Sequence, residues 1–351
     1  MSSNPLRVGF VGTGIFAKDV HLPIIQSQPT KFQASAAFNR TKAKAEEFAT
    51  LASIDNAHVF DSLDELLANE DVDLVDALLP VEYNLETITK AVKAGKPIII
   101  EKPIAATLEQ AREIVKLTDA TPIPVVIAEQ FLFFNAISKI REKLPQIGEI
   151  ISFTYRSTGP FYTSNKYLAT SWRRNPKHIG GFLSDGGVHQ LALLTEILGL
   201  EFESISALTK QVREESGADD ILFSTVKAAG GVIGTFTYGS AFGAVEKHGS
   251  LVIFGTKGSI IFDFSAGKPH SIKLQLGEVG DVPDDITIEE FEEANPPGVL
   301  SEFENLYEAV SKKDKSLVKA NPRKNFHFLA IIDAALRSSK QGGTAIKVEQ
   351  P

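Results

Sequence analysis

The sequence predicts a protein of two domains: an N-terminal α/β domain with a doubly wound parallel sheet, and a C-terminal α+β domain with a mostly antiparallel sheet. The chain has 351 residues, about twice the ~150 residues of a common domain. Short apolar runs alternate with amphipathic stretches up to residue 128, whereas alternating strand patterns prevail after about residue 150. We therefore expect domains at residues 1–128 and 129–351.

Several of the predicted N-terminal strands are apolar runs without alternation, as is typical of parallel strands buried on both faces. The predicted strands are Leu6–Val11, Gln33–Phe38, Leu74–Leu79, Pro97–Ile100 and Val125–Ala128. Helix signals lie between them: Ser62 and Thr107 each begin a capping box, and Gly95 follows a helical pattern as a C-terminal cap. Repeated β-α-β units of this kind predict right-handed crossovers and a doubly wound sheet.

The C-terminal half has strand patterns separated by hairpin turns. The strand patterns cover 150–158, 203–213, 220–228, 232–239, 249–255 and 258–263. Gly230-Gly231 and Thr256-Lys257-Gly258 lie between pairs of them, as hairpin turns do. Helical patterns cover 186–198, 300–312 and 322–340. Together these elements predict an antiparallel sheet with a few helices.

Composition excludes several classes of site and partner. The chain has no cysteine, which excludes disulfides, thiolate nucleophiles, cysteine zinc sites and iron–sulfur clusters. Its net charge of −8 arises in residues 278–293, which hold eight acidic residues and no basic one, and we expect a solvated acidic loop and edge strand there. Since no basic face is indicated, we expect no nucleic-acid or membrane partner.

Two further patterns bear on localisation. No apolar run approaches the ~20 residues that span a bilayer. The N-terminal residues show no apolar segment behind a basic start, as a signal peptide would. We expect a cytoplasmic protein.

The pattern G-x-G-x-x-A follows the first strand directly, in the residues Gly12, Thr13, Gly14, Ile15, Phe16 and Ala17. The first glycine of such a pattern permits a tight turn, the second lets the backbone approach a pyrophosphate, and the alanine keeps helix and strand close. The helix N-terminus adds N–H donors and positive potential. At the start of a β-α-β series this predicts dinucleotide binding; a purely structural turn is the alternative.

The end of the second strand indicates which dinucleotide binds. An NAD site has a carboxylate ~20 residues after the turn that accepts a hydrogen bond from the ribose 2′-OH. Here the sequence is Phe38-Asn39-Arg40-Thr41, without an acid. Arg40 offers a planar fork suited to a 2′-phosphate, and Thr41 offers a hydroxyl. We therefore predict NADP(H), with Asn39, Arg40 and Thr41 among the cofactor-binding residues; an exposed arginine that begins a helix is the alternative.

Two blocks carry candidate catalytic residues. Lys102, in Glu101-Lys102-Pro103, lies just past the carboxyl end of a buried strand, the edge at which open α/β sheets bind ligands. Asp185 and His189 lie four residues apart at the glycine-rich start of a predicted helix, and so share one helix face. Taken singly, each block has a structural alternative: a surface lysine, a capping aspartate or a packed histidine.

Together the three blocks resemble the Gfo/Idh/MocA family of NAD(P)-dependent oxidoreductases, in order and spacing and over essentially the whole chain. Within the family the resemblance is greatest to fungal NADP(H)-dependent members. It implies hydride transfer on sugars, inositols, related polyols or aldehydes. It also implies an N-terminal Rossmann domain and a C-terminal open sheet whose free face mediates oligomerisation, so we expect a homo-oligomer, first of all a dimer.

The resemblance implies further cofactor-binding residues, which are Leu79, Pro80, Asn84, Glu101, Lys102, Glu129, Trp172 and Arg173. Asn84 lies in a loop that departs from the Thr-Pro-Asn pattern of the family. Glu129 matches a position near the nicotinamide, and the pair Trp172-Arg173 resembles one by which NADP-linked sugar reductases touch the cofactor.

The chemistry implied for these residues follows from charge. Hydride transfer to or from a carbinol carbon requires a proton to join or leave the adjacent oxygen. His189 is suited to move that proton, and its place in the first turn of the predicted helix favours neutral imidazole. Asp185 would orient it or bind a hydroxyl, and Lys102 would stabilise charge on the reacting oxygen. Which of Lys102 and His189 is the formal acid/base stays open.

We expect no metal, because the other histidines form no metal-like cluster in the sequence. The alternative to an enzyme is a regulatory protein that senses NADP(H) on the same fold without turnover. The presence of Lys102, Asp185 and His189 together favours the enzyme.

Overall fold

The computed structural model describes residues 4–162, 175–243, 245–277 and 281–351. These residues form two compact units. The first contains the residues up to Gln130 together with Val299–Phe326 and Pro351, and the second contains Phe131–Gly298 and His327–Gln350. The predicted boundary at residue 128 lies two residues before the one observed.

The segment 299–326 differs from the prediction, which placed it in the C-terminal domain. The structure groups it with the first unit. The ring of Phe303 packs edge-on against the rings of His21 and Phe32, at centroid distances of 5.0 and 5.8 Å. All three side chains are buried, so this segment shares the apolar core of the first unit.

The first unit is built on a six-stranded parallel sheet. Its strands are β1 Leu6–Val11, β2 Phe32–Phe38, β3 Val59–Phe60, β4 Leu74–Ala77, β5 Ile98–Glu101 and β6 Val125–Ala128. The strand order is β3-β2-β1-β4-β5-β6, with every neighbouring pair parallel. The predicted doubly wound sheet is confirmed. The direction in which successive strands are added to the sheet reverses between β1 and β4. Sheets of this kind bind ligands at such a reversal, outside the carboxyl ends of the strands.

Five helices accompany this sheet along the chain. A π-helical turn, Ala17–His21, leads into α1 Leu22–Ser27, followed by α2 Lys42–Ala52, α3 Leu63–Ala68, α4 Asn84–Lys93 and α5 Leu108–Asp119. The predicted caps are confirmed. Ser62 Oγ accepts the Glu65 N–H and Thr107 Oγ1 accepts the Gln110 N–H, each at 3.2 Å, and Gly95 ends α4 with a positive φ of 71°.

The second unit contains a nine-stranded sheet. Its strands are β7 Ile150–Pro160, β8 Phe202–Lys210, β9 Ile221–Ala228, β10 Ile233–Phe242, β11 His248–Gly255, β12 Gly258–Asp263, β13 His270–Leu276, β14 Asp285–Phe291 and β15 Ile346–Lys347. Their order is β14-β13-β12-β11-β7-β10-β9-β8-β15. Among the described strands of this second sheet, only β7 and β10 pair in parallel. The mostly antiparallel sheet is therefore confirmed, and β14 is the acidic edge strand.

The described residues also form the helices α6 Asn135–Lys143, α7 Phe182–Leu198, α8 Val299–Ser311 and α9 Pro322–Lys340. Short 3-10 turns lie at Asn56–His58, Val81–Tyr83, Gln130–Phe133, Leu144–Ile147, Glu214–Ser216, Ala229–Gly231 and Lys315–Leu317. In the described ranges, no helix combines the length and apolar character that crossing a bilayer requires.

Candidate active site

The turn after β1 has the geometry that a dinucleotide phosphate needs. Gly12 adopts a φ of +91°, and a Cβ there would lie 2.4 Å from the carbonyl oxygen of Leu78, so only glycine fits. A Cβ at Gly14 would have no heavy atom within 4 Å, which leaves its backbone open to close approach. Ile15 and Phe16 then begin the helical segment. These residues fit the pyrophosphate of a dinucleotide.

Asn39 ties the end of β2 to this turn. Its Nδ2 donates to Thr13 Oγ1 at 3.0 Å, and its Oδ1 accepts the Thr41 N–H at 2.9 Å. Thr13 is buried, and its hydroxyl in turn donates to the carbonyl of Lys44. The amide of Asn39 is therefore engaged on both sides.

Arg40 is exposed and contacts Tyr83. Its Nη1 donates to the Tyr83 hydroxyl at 3.0 Å, and its guanidinium carbon lies 5.8 Å from the ring centroid, within the range of a cation–π contact. Tyr83 was not predicted, because no sequence spacing links it to Arg40. The partnership arises because β2 and β4 end at the same edge of the sheet.

The loop after β4 holds the backbone around Lys102. Leu79 and Pro80 are half-buried, and Asn84 is fully buried at the start of α4. Asn84 Nδ2 donates to the carbonyls of Glu101 and Pro103, both at 2.9 Å. The structure thus gives Asn84 a role in shaping the Lys102 segment, and its direct contact with the cofactor stays a prediction.

A buried charged cluster lies next to this segment. His21, which is 2% exposed, directs Nδ1 to Asp76 Oδ2 at 2.9 Å and Nε2 towards Glu101 Oε1 at 3.5 Å. Burial lowers the pKa of His21, but the charges of Asp76 and Glu101 and the hydrogen bonds to them raise it to about 10. Sequence reasoning did not single out His21 or Asp76, since a histidine near a turn and an aspartate inside an apolar strand have no characteristic spacing.

Glu129 and Glu302 extend this acidic environment. Both are buried, and the carboxylate of Glu302 accepts the backbone N–H of Glu129. Burial raises the pKa of Glu302 well above its usual range; the charge of His21 opposes this shift, and the charges of Glu101 and Glu129 add to it. The predicted contact of Glu129 with the nicotinamide stays a prediction.

Asp185 and His189 lie on α7, in the second unit. Both are half-buried, and their spacing of one helical turn puts them on the same face. The ring of Phe131 stacks on His189, with centroids 4.6 Å apart and planes 20° apart. Burial and the charge of Asp185 raise the pKa of Tyr238. Phe131 and Tyr238 were not predicted, because only the tertiary structure brings them to this helix.

The structure corrects one expectation about His189. Because α7 begins at Phe182 rather than near residue 186, Asp185 occupies the first turn and His189 lies about two turns inside the helix. The field of a helix terminus falls off within the first turn. The helix N-terminus therefore gives no reason for neutral imidazole at His189.

Gly186 has a packing reason to be glycine. A Cβ there would lie 1.9 Å from the Tyr238 hydroxyl oxygen, so a side chain would displace Tyr238 from beside Asp185. The next polar residue, Gln190, accepts a hydrogen bond from the buried Tyr155 hydroxyl at 2.7 Å, and so belongs to the core.

Two predicted residues, Trp172 and Arg173, lie outside the described residues. Within the part of the chain that the structure describes, no group of three or more acidic or histidine side chains is arranged to hold a metal ion.

A parallel sheet with a glycine turn shaped for a pyrophosphate, followed by a lysine at its carboxyl edge, defines the class of dinucleotide-binding α/β proteins. Comparison with known families narrows this class to one family. Residues 6–128 match the oxidoreductase family with an NAD-binding Rossmann fold, and residues 141–348 match the C-terminal alpha/beta domain of the same family. The chain belongs to the Gfo/Idh/MocA oxidoreductases.

Individual relatives agree with this assignment. The chain is 54% identical to the Saccharomyces cerevisiae protein YMR315W over 349 residues, which covers 99% of this chain and 100% of that protein. An oxidoreductase from Thermotoga maritima has a crystal structure with a TM-score of 0.83 and 34% identity, covering 98% of each chain. A levoglucosan dehydrogenase solved with NADH has the same fold, with a TM-score of 0.83 at 19% identity, covering 99% of this chain and 100% of the other.

Proposed function

We propose that the protein is an NADP(H)-dependent oxidoreductase that transfers a hydride between the nicotinamide and a sugar, a polyol or a small aldehyde or ketone. Membership of the oxidoreductase family supports the reaction class. The observation that carries the cofactor preference is Arg40, a guanidinium at the end of β2 where an NAD-binding protein has a carboxylate.

The surroundings of Arg40 support the choice of NADP(H). The side-chain amide of Asn39 is engaged with Thr13 and Thr41. The neighbouring Arg40 supplies a positive charge at this end of β2. Its contact with Tyr83 uses one of five N–H donors, which leaves others for a phosphate. A charge-assisted contact with the 2′-phosphate favours NADPH over NADH, because NADH has no anion at this place.

The bound nicotinamide supplies the hydride acceptor or donor. Lys102 donates a hydrogen bond to the reacting oxygen of the substrate and stabilises the negative charge that develops there. His189 takes the proton of that oxygen, or returns it in the reverse direction. Asp185 binds a neighbouring hydroxyl or orients His189, and the ring of Phe131 restricts the imidazole to one plane.

The substrate class is supported by two considerations. The levoglucosan dehydrogenase of the same fold acts on a sugar derivative, as its name states. The side chains of Lys102, Asp185 and His189 supply hydrogen-bond donors and acceptors, which suit a substrate with several hydroxyl groups.

A substrate screen tests this function. Sugars, polyols and aldehydes are incubated with NADP⁺ or NADPH, and the absorbance of the reduced nicotinamide is followed. We expect turnover with at least one hydroxyl-rich compound, and a higher kcat/KM with the phosphorylated cofactor. Tight NADPH binding without turnover of any compound would instead support the sensor.

We also propose that the chain forms a homodimer through the exposed face of its nine-stranded sheet. Buried and exposed side chains alternate along β9, so that Leu222 is buried and Phe223 is exposed. Phe223 pairs directly with Leu208, and Ile233 and Phe254 are exposed on nearby strands. Large apolar side chains exposed on one face of a sheet favour an interaction surface.

A further inference from the structure

We propose that His21 is a positioning residue for Lys102, acting through a buried bridge from Asp76 to Glu101. This inference rests on the proposed role of Lys102 and adds to it the group that holds the lysine in place.

The geometry puts His21 between two carboxylates. The π-helical turn Ala17–His21 ends at this residue, and turns of this type often occur at functional sites. Nδ1 lies 3.0 and 2.9 Å from the two carboxylate oxygens of Asp76, which is 0% exposed. Nε2 lies 3.5 Å from Glu101 Oε1. One imidazole thus connects the interior of β4 to the residue that precedes Lys102 in the chain.

The charge of the bridge follows from its surroundings. His21 faces Asp76 from β4, Glu101 from β5 and Glu302 from α8. The rings of Phe16 and Phe303 cover it, with centroids 5.2 and 5.0 Å away. A neutral imidazole has a single N–H and can donate to one carboxylate only. The protonated form donates a hydrogen bond to Asp76 and forms an ion pair with Glu101 at 3.5 Å, and a pKa of about 10 makes this form dominant at neutral pH.

The bridge constrains the segment that carries Lys102. Asn84 holds the carbonyls of Glu101 and Pro103, and His21 holds the side chain of Glu101. The backbone on either side of Lys102 and the side chain of Glu101 are therefore both anchored. Without His21, the Glu101 carboxylate is free to turn and compete with the substrate oxygen for the ammonium of Lys102.

Two substitutions at His21 separate positioning from packing. In His21→Gln the side-chain amide reaches the place of Nε2 and keeps a donor for Glu101. In His21→Asn the amide reaches the place of Nδ1 and keeps a donor for Asp76 alone. Both remove the cation that pairs with the buried carboxylate of Asp76, so we expect both to lower the melting temperature. We expect kcat to fall about 10- to 100-fold in His21→Asn, with KM for NADPH unchanged, and to recover largely in His21→Gln.

A matched control is His327→Gln. His327 is a buried histidine of the second unit, whose Nε2 accepts the Phe202 N–H at 3.1 Å. Glutamine can accept the same hydrogen bond, and kcat should stay close to that of the wild type. Equal kcat values for His21→Asn and His21→Gln would overturn the proposal.

A double-mutant cycle with Lys102→Met tests whether His21 acts through Lys102. If it does, His21→Asn lowers kcat in the wild type but not in the Lys102→Met background. An equal loss in both backgrounds contradicts the inference. Wild-type turnover in Lys102→Met removes the proposed role of Lys102 itself, whereas an inactive Lys102→Met with a fully active His21→Asn removes only the positioning role.

A measurement on the cofactor-free protein gives an independent readout. Histidine NMR should show one imidazole that stays protonated from pH 6 to 9 and whose signals disappear in His21→Gln. Titration of that imidazole near the ordinary histidine pKa would overturn the bridge. Should His21→Asn not fold, Asp76→Asn keeps the side-chain volume, and we expect it to lower both the His21 pKa and kcat; no change in either contradicts the proposal.

Discussion

The guanidinium of Arg40 donates a hydrogen bond to the phenolic oxygen of Tyr83, with 3.0 Å between Nη1 and the hydroxyl oxygen. This contact links the end of β2 to the turn that follows β4 and restrains a long, exposed side chain. An arginine held in this way loses less conformational entropy when it binds a phosphate than a free one does.

Replacement of Arg40 by alanine should separate the two cofactors. The loss of a charge-assisted contact of ~1.5–3 kcal/mol corresponds to a roughly 10- to 150-fold weaker Kd for NADPH, and the Kd for NADH should hardly change. Fluorescence titration of the nicotinamide measures both constants. Tyr83→Phe, which removes only the hydroxyl, should cost NADPH affinity less than Arg40→Ala does. Equal losses for NADPH and NADH in Arg40→Ala would show that the arginine is structural.

Lys102→Met should lower kcat by about 10²- to 10³-fold, because one preorganised donor to the developing oxyanion is lost. Affinity for NADPH should stay within a few-fold of the wild type, since the phosphate turn at Gly12–Phe16 is untouched. Stopped-flow absorbance under single-turnover conditions reports the chemical step. A variant that binds cofactor and retains wild-type turnover would exclude Lys102 from the reaction.

His189→Asn should lower kcat/KM and flatten its dependence on pH, because asparagine cannot exchange a proton with the substrate. The matched variant is Phe131→Leu. It removes the ring that stacks on His189, so kcat should fall while the pH profile keeps its shape. An unchanged profile in folded His189→Asn would assign the proton transfer to another group.

Phe223→Glu should dissociate the proposed homodimer. It places a charge opposite Leu208 on the exposed face of the sheet, where burial against a second copy leaves the carboxylate unpaired. Light scattering after size-exclusion chromatography should report twice the chain mass for the wild type and the chain mass for the variant. Leu51→Glu, at an exposed apolar residue of the first unit, should remain dimeric. A monomeric wild type would contradict the proposal.

Stability should decrease at alkaline pH because of His21. Its pKa is about 10 in the folded protein and 6.5 as an ordinary value, so the native state holds a proton that the unfolded chain releases. The stabilisation is complete below pH 6.5 and is lost as the pH rises through 10. For one proton, the free energy of unfolding falls by at most about 1.4 kcal/mol per pH unit. Urea unfolding at pH 7 to 10 should show this slope in the wild type and not in His21→Gln.

Most strands of the first sheet could be predicted because burial on both faces requires continuous apolar runs, which are visible in single segments such as Val125–Ala128. The two-residue strands β3 and β15 could not, because two residues form no pattern and depend on their neighbours for hydrogen bonds. The start of α7 was predicted about four residues late. The glycines at 186 and 187 indicate a boundary by propensity, but here they lie inside the helix, and Gly186 leaves room for Tyr238.

The sequence by itself determined the two kinds of sheet, the phosphate turn at Gly12–Phe16 and the Gfo/Idh/MocA resemblance carried by Lys102, Asp185 and His189. These features are local, because the order of residue types in one segment dictates the turn, the strand or the helix face. Only the tertiary structure decided the partners of those residues. Tyr83 reaches Arg40, Phe131 reaches His189, and His21 reaches Asp76 and Glu101 through contacts between segments distant in the chain. Such contacts depend on strand order and burial, which no single stretch of sequence encodes.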